Sequence, residues 1–176
     1  MSNKKHDYAK LGLKAGLEVH QQLDTGKLFS HAPSLLRSDK PDYVIKRKLH
    51  AVAGETGEVD VAVEYEAALD KELYYEGYKD SISLVELDEE PPNTINKEAL
   101  EAALQLSLLL KAKIEPKIKV MRKIIIDGSN VAGFQRTMQI ATNGKLKASK
   151  GIIKIETLLL EQEAAKKIAT NGKDTT

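Results

Sequence analysis

Asn96-Lys97-Glu98-Ala99-Leu100-Glu101-Ala102-Ala103-Leu104-Gln105-Leu106-Ser107-Leu108-Leu109-Leu110-Lys111-Ala112-Lys113 is the clearest helix in the chain, and its isolation decides the fold class. Asn96 offers a side-chain oxygen to the free amides of the first turn, and Glu98 suits the positive end of the helix dipole. Leu100, Ala103, Leu104 and Leu108 recur at helical spacing. Leu106, Leu109 and Leu110 widen this apolar stripe, which reads as core. Strand-like patterns lie on both sides. Before the helix, Lys14–Leu23 and Val44–His50 read as strands. Val59–Glu66 alternates apolar and acidic residues as a half-buried strand does, with Lys71–Tyr78 as its hairpin partner. Ser81–Leu87 reads as a further strand, stopped by Asp88-Glu89-Glu90-Pro91-Pro92. After the helix come a short strand over Met121–Ile126 and a hairpin turning at Asn143-Gly144 between Met138–Ala141 and Lys145–Ala148. A strand over Ile152–Leu160 follows, and Glu161–Ala169 has helical composition. A doubly wound parallel fold needs several helices. Strands, one long central helix and strands again imply α+β with an antiparallel sheet. Residues 11–169 read as one domain between flexible tails at 1–10 and 170–176.

The 176 residues are enough for one sizeable core or two small ones. Hydrophobic residues make up 41% and charged residues 30%, which marks a globular chain and not a disordered one. A net charge of +1 gives no whole-molecule field to draw in nucleic acid, and leaves room only for a local basic face. Cysteine is absent, which excludes disulfides, thiolate zinc sites and a cysteine nucleophile, and suits a reducing, cytoplasmic setting. No stretch approaches the ~20 apolar residues of a membrane span, and Met1–Lys10 is too polar for a signal peptide, so no membrane partner is expected. With no tryptophan and two phenylalanines, Leu, Ile, Val and Ala must build the core.

Several runs carry chemistry. In Gly16-Leu17-Glu18-Val19-His20-Gln21-Gln22-Leu23-Asp24, Glu18 and His20 stand at i and i+2, on one face of a strand. They are either a hydrogen-bonded pair at a strand edge or two ligands of a metal. Arg122 and Lys123 precede Asp127-Gly128-Ser129-Asn130, a turn whose amides and hydroxyl suit an anion. Two cations nearby would suit a triphosphate, and a plain turn beside a solvated basic pair is the alternative. Gly133-Phe134-Gln135-Arg136-Thr137 packs a donor, a cation and a hydroxyl into consecutive positions. Glu161 and Glu163 are either metal ligands or ordinary acids in the first turn of a helix. Glu86-Leu87-Asp88-Glu89-Glu90 reads as a solvated acidic loop, with Glu86 and Asp88 on one strand face. Lys46, Arg47 and Lys48, with Arg37, could meet phosphates, although a solvated face is the plainer reading. There is no GxxxxGK[ST] loop, which excludes a P-loop mechanism. Spacing identifies no lysine or histidine relay for Ser129.

Four of these runs, Gly16–Asp24, Val85–Pro92, Arg122–Asn130 with Gly133–Thr137, and Leu160–Ile168, carry a resemblance. From about Leu11 to Ile168 the chain resembles the N-terminal part of the E-type subunit of archaeal glutamyl-tRNA(Gln) amidotransferase, in the family that includes the bacterial and organellar B-type subunits. The resemblance implies a catalytic cradle domain similar in fold to glutamine synthetase and the guanido kinases. It implies a ligase that uses ATP and Mg2+ to phosphorylate the side-chain carboxylate of glutamate misacylated onto tRNA(Gln). Ammonia from an asparaginase-like amidase partner, the D-type subunit, then displaces phosphate to give Gln-tRNA(Gln). On this resemblance Glu18, His20, Glu161 and Glu163 would hold Mg2+, and Glu18, His20 and Gln135 would be catalytic. Arg122, Lys123, Asp127, Gly128, Ser129, Arg136 and Thr137 would bind ATP, with Gln135, Arg136 and Thr137 orienting the acceptor. Gln162 departs from the family pattern, which has an acid there. Family members extend far beyond this length, with helical and tail domains that hold tRNA. The resemblance therefore implies a fragment, a split-gene product completed by a second polypeptide, or a reduced member. The alternative is a non-catalytic half that scaffolds the amidase or the missing remainder.

Overall fold

The computed structural model describes residues 6–8, 10–48, 61–124, 134–163, 165, 167–171 and 174–175. Among the described residues the fold has eight strands and two helices in two sheets. β1 (Tyr43–Lys48) pairs antiparallel with β2 (Glu72–Gly77), from Tyr43 opposite Gly77 to Lys48 opposite Glu72. α1 (Val61–Ala68) precedes β2 in the chain. β7 (Thr170–Asn171) and β8 (Asp174–Thr175) complete the first sheet, β8 joining β2 in parallel at Leu73 opposite Thr175.

The second sheet is built on β5 (Phe134–Ala148), fifteen residues long. β6 (Gly151–Glu163) runs antiparallel along one edge of β5. β3 (Lys113–Ile114) and β4 (Met121–Ile124) lie end to end along the other. α2 (Lys97–Leu109) packs on β5 and β6. Met138, Ile140 and Leu160 from the sheet, Ala99 and Ala103 from α2, and Val85, Leu28 and Phe29 from irregular segments form the core.

The helix starts where the sequence indicates. Asn96 Oδ1 accepts from the Ala99 amide at 3.0 Å. Its buried stripe matches the expected one in part: Ala103 is buried and Leu100 and Leu104 pack against the core. Ala99, Ala103 and Ser107 face inward, whereas Leu106, Leu108 and Leu109 are exposed. Small residues at i, i+4 and i+8 let the helix axis approach the sheet closely, and Ser107 Oγ is satisfied internally by donating to the Ala103 carbonyl at 2.7 Å. β1, β4 and β6 fall where strands are expected.

Other expectations are corrected. Val61–Ala68 is helical, not a strand, because Lys71–Tyr78, its expected partner, contributes β2 to β1 instead. Asp70, with φ of 49°, takes the left-handed conformation just beyond the helix. Lys14–Leu23 forms no ladder, and its residues up to Gln22 are exposed. Ser81–Leu87 is a set of turns, with Ile82 N donating to Tyr78 O at 3.0 Å and Glu89 N to Leu84 O at 2.9 Å. Asn143-Gly144 lies inside β5. Asn143 adopts φ of 56° without breaking the strand, and a Cβ on Gly144 would stand 3.1 Å from Ile155 Cβ. The hairpin turns instead at Ser149-Lys150, between Ala148 and Gly151. Glu161–Glu163 continue β6 and open no helix. Within the expected tail at 170–176, Thr170–Asn171 and Asp174–Thr175 pair as β7 and β8.

Candidate functional site

Side chains of directly opposed residues in an antiparallel pair share a face, and successive rows alternate faces. Across β4, β5 and β6 the register gives three rows: Met121–Thr137–Glu161, Arg122–Arg136–Gln162 and Lys123–Gln135–Glu163. The first and third rows share one face. The middle row lies on the other, with Met138 and Leu160 of the core.

On the first face a cluster assembles. Ligand atoms of Glu18, His20 and Glu161 lie within 4.8 Å of one another. His20 Nε2 is 3.2 Å from Glu18 Oε1, so the i, i+2 spacing brings the pair together even without a strand ladder. Leu17 and Val19, which flank Glu18, are exposed. Thr137 Oγ1 donates to Glu161 Oε1 at 2.8 Å, which orients that carboxylate and leaves its second oxygen available. Lys123, Gln135 and Glu163 share this face by register, but Glu163 is not in the three-residue cluster. Two carboxylates and an imidazole form a mixed oxygen–nitrogen donor set. The oxygens suit a hard cation such as Mg2+, and the imidazole can be one mixed ligand or hold a ligated water.

On the opposite face the Arg136 guanidinium is buried. Its Nη1 donates to Gln162 Oε1 at 2.7 Å and to the Val85 carbonyl at 3.3 Å, and its Nη2 to Asp88 Oδ1 at 3.2 Å. Arg122 Nη2 is 2.7 Å from Asp88 Oδ2, so two guanidiniums share one carboxylate. Both also stand over the Phe134 ring, 4.8 and 5.0 Å from its centroid. Burial pulls Arg136 below the ordinary arginine range, Asp88 pulls it back up and Arg122 pushes it down. Gln162 Nε2 is buried with no hydrogen-bond partner among the described residues. The residues expected to bind ATP are thus divided. Lys123 and Thr137 lie on the Glu161 face, and Arg122 and Arg136 on the other. Asp127, Gly128 and Ser129 lie outside the described residues, as do Asn130 and Gly133.

The acidic run is solvated only in part: Asp88, Glu89 and Glu90 are exposed, but Glu86 is not. Glu86 is buried and accepts from Ser30 Oγ at 2.7 Å, Ser83 N at 2.7 Å and Ser83 Oγ at 2.8 Å. Burial pushes its carboxyl upward, but these donors and Lys27, 3.8 Å away, outweigh burial and hold it below the usual range. Lys27 is itself lowered by burial, partly offset by Glu86, and its ammonium donates to the Ser81 carbonyl. Asp88 goes to the two arginines and Glu89 to Arg47. The sequence missed this because the run folds as turns, which send neighbouring acids in different directions. The one available signal was the serine spacing, Ser81-x-Ser83 before Glu86, which favours local side-chain to backbone bonds.

The basic run is also occupied. Lys46 pairs with Glu72 at 2.7 Å, Lys48 with Asp70 at 2.6 Å and Arg47 with Glu89. Arg37 pairs with Asp39 at 2.6 Å and Asp80 at 2.7 Å, which raises its own pKa and holds Asp39 down to about 2.

The chain has clear relatives. The chain belongs to the GatB/GatE catalytic domain family, whose profile it matches over residues 13–176. It is 53% identical over 168 residues to the E-type glutamyl-tRNA(Gln) amidotransferase subunit of Pyrobaculum islandicum, a match covering 95% of this chain and 28% of that one. The counterpart in Methanocaldococcus jannaschii is 48% identical over 94% of this chain and 26% of its own. That of Methanococcus maripaludis is 46% identical over 97% and 27%. The chain therefore spans just over a quarter of the length of these curated relatives. This bears out the resemblance to the archaeal E-type subunits. Among the described residues no helix is long and apolar enough to cross a membrane.

Proposed function

We propose that this chain is the metal- and nucleotide-binding part of a glutamyl-tRNA(Gln) amidotransferase, a ligase that activates the glutamyl carboxylate of Glu-tRNA(Gln) with ATP before transamidation. An asparaginase-like amidase would supply the ammonia. The observation that carries the proposal is the convergence of Glu18, His20 and Glu161 from opposite ends of the chain onto one sheet face. These residues would hold Mg2+, which when bound neutralises phosphate charge during phosphoryl transfer. Thr137 fixes the Glu161 carboxylate. Lys123 and Gln135, which share that face by register, would meet a phosphate and an acceptor carboxylate. ATP-binding roles for Arg122 and Arg136 would need the nucleotide to reach around the sheet, and their present contacts brace Asp88 and Val85. A glutamine synthetase-like or guanido kinase-like cradle, as the resemblance implies, is part of the same proposal.

Isothermal titration with Mg-ATP tests it. Binding heat is expected for the native chain and a loss of about tenfold or more in affinity for Glu161→Ala. Absence of heat with the folded native chain would overturn the proposal.

A second reading has its own support. Leu108 and Leu109 on α2 are 66% and 78% exposed, an apolar face of the kind that marks an interaction surface. The chain would then be a structural portion that needs further polypeptide, or the amidase, for turnover. A stable monomer in size-exclusion chromatography that titrates with Mg-ATP would count against this reading.

A further inference from the structure

We propose that the distal half of the β5–β6 hairpin is a contact surface for the phosphate backbone of RNA. Lys145 stands directly opposite Lys154 in the antiparallel register, so the two ammonium-bearing chains leave the ribbon on the same face. Like charges placed so are destabilising; Glu156, two residues from Lys154 on the same face, forms no ion pair with either lysine among the described residues. Lys147 lies two residues further along the same face, and Lys150 sits in the turn. All four lysines are exposed. None takes part in an ion pair among the described residues. Between Asn143 and Thr157 the only acid is Glu156.

The contrast with the other basic run is informative. Arg37, Lys46, Arg47 and Lys48 are each engaged by a carboxylate, and the hairpin lysines are not. On a chain of net charge +1, this narrow ribbon thus carries several positive charges that no carboxylate engages among the described residues. Alternate residues on a strand are about 6.8 Å apart, so Lys145 and Lys147 are spaced to meet successive phosphates of one nucleic-acid strand. No aromatic residue lies between 143 and 157. The ribbon therefore lacks the rings that stack bases or anchor at a membrane interface, and it would track a backbone without reading sequence. The choice of RNA among polyanions rests on the function proposed above, because that substrate is carried on tRNA.

The test is fluorescence anisotropy of a labelled tRNA transcript against the whole chain across a KCl series. Each phosphate contact contributes roughly 0.7–0.9 to the slope of log affinity against log salt, so Lys145→Gln, Lys147→Gln and Lys154→Gln together should lower the slope by about 2. Affinity at low salt should fall about tenfold or more in the same variant. Circular dichroism should show the native fold in this variant, because all three sites are exposed. Lys46→Gln with Arg37→Gln should leave the slope unchanged. An unchanged slope in the folded triple variant overturns the inference. Loss of binding to phosphatidylserine vesicles with tRNA binding intact also overturns it, in favour of a lipid surface. Mg-ATP titration of the same variant separates the two proposals. Heat retained with the RNA slope unchanged sinks only this one, and a reduced slope with no heat in the native chain sinks only the metal–nucleotide reading.

Discussion

Glu86→Ala should destabilise the domain by about 3–5 kcal/mol at neutral pH, the range for breaking a buried charged pair by removing one partner. The structure says where this comes from. The carboxylate accepts three hydrogen bonds, from Ser30 Oγ, Ser83 N and Ser83 Oγ. The hydroxyls can turn to other acceptors, but the Ser83 amide cannot, and a stranded amide costs about 1–3 kcal/mol. Lys27, with 23% of its side chain exposed, would lose its counter-charge in a place where burial already disfavours the ammonium. Partial exposure lets water relieve some of that loss, which keeps the total near the lower end. Glu86→Gln keeps the shape but turns donors toward donors, and should cost about 1–2 kcal/mol. The pH dependence gives a second readout. The folded Glu86 carboxyl lies below its usual value, so its contribution is fully present above the unfolded pKa of about 4.3 and is lost as pH falls through the folded value. The stability gap between the native chain and Glu86→Gln should therefore narrow as pH is lowered from about 5 to about 3. Urea unfolding followed by circular dichroism measures both. A Glu86→Ala loss under about 0.5 kcal/mol, or a gap indifferent to pH, would refute the reasoning.

Thr137→Val removes the hydroxyl that orients Glu161 and should weaken divalent-cation affinity about tenfold by titration calorimetry, with little change in the far-ultraviolet circular dichroism. Met138→Ala, at a fully buried position in the core, should lower unfolding free energy by about 2–5 kcal/mol in urea melts. Leu108→Glu with Leu109→Glu, at exposed positions on α2, should change stability by less than about 0.5 kcal/mol each, and should lower any self-association seen by light scattering.

Local signals carried α2, β1, β4 and β6, and they failed where tertiary context decides. The Asn96 cap and the run of good helix formers are properties of the segment itself, so the helix could be read directly. Its inward face could not. A leucine stripe and an Ala99, Ala103, Ser107 stripe are both consistent with 3.6 residues per turn, and only the closeness of β5 and β6 selects the small residues. Asn143-Gly144 is a strong hairpin signal, but β6 pairs with β5 on both sides of Asn143, at Thr142 and Gly144, and Asn143 takes a left-handed backbone without ending the strand. At the site, Glu18 and His20 were legible because their proximity needs only an extended chain. The separation of Arg122 and Arg136 from Lys123, Gln135 and Thr137 was also present in the sequence, as simple alternation along two strands. It becomes visible once the register opposes Arg122 to Arg136. Glu86 was hidden because turns, unlike strands or helices, have no period from which a direction can be read.

The exposed cluster depends on buried contacts that follow it in the chain. Glu18 and His20 lie on a segment with no ladder of its own, so backbone pairing does not hold them. The chain is fixed a few residues later, where Leu28 and Phe29 enter the core and Lys27 and Ser30 bind the Ser81–Glu86 turn. That same turn gives Val85 and Asp88 to Arg136, and Arg136 holds Gln162, the neighbour of Glu161 on β6. One connected polar network therefore reaches both sides of the cluster, through the segment bearing Glu18 and His20 and through the strand bearing Glu161. A ligand set built from surface side chains is only as well placed as the residues that fix its backbones. Damage at Glu86 or Arg136, neither of which belongs to the cluster, should therefore loosen cation binding as well as lower stability. Loss of stability alone, with cation affinity intact in the folded fraction, would show that the two sides are held independently.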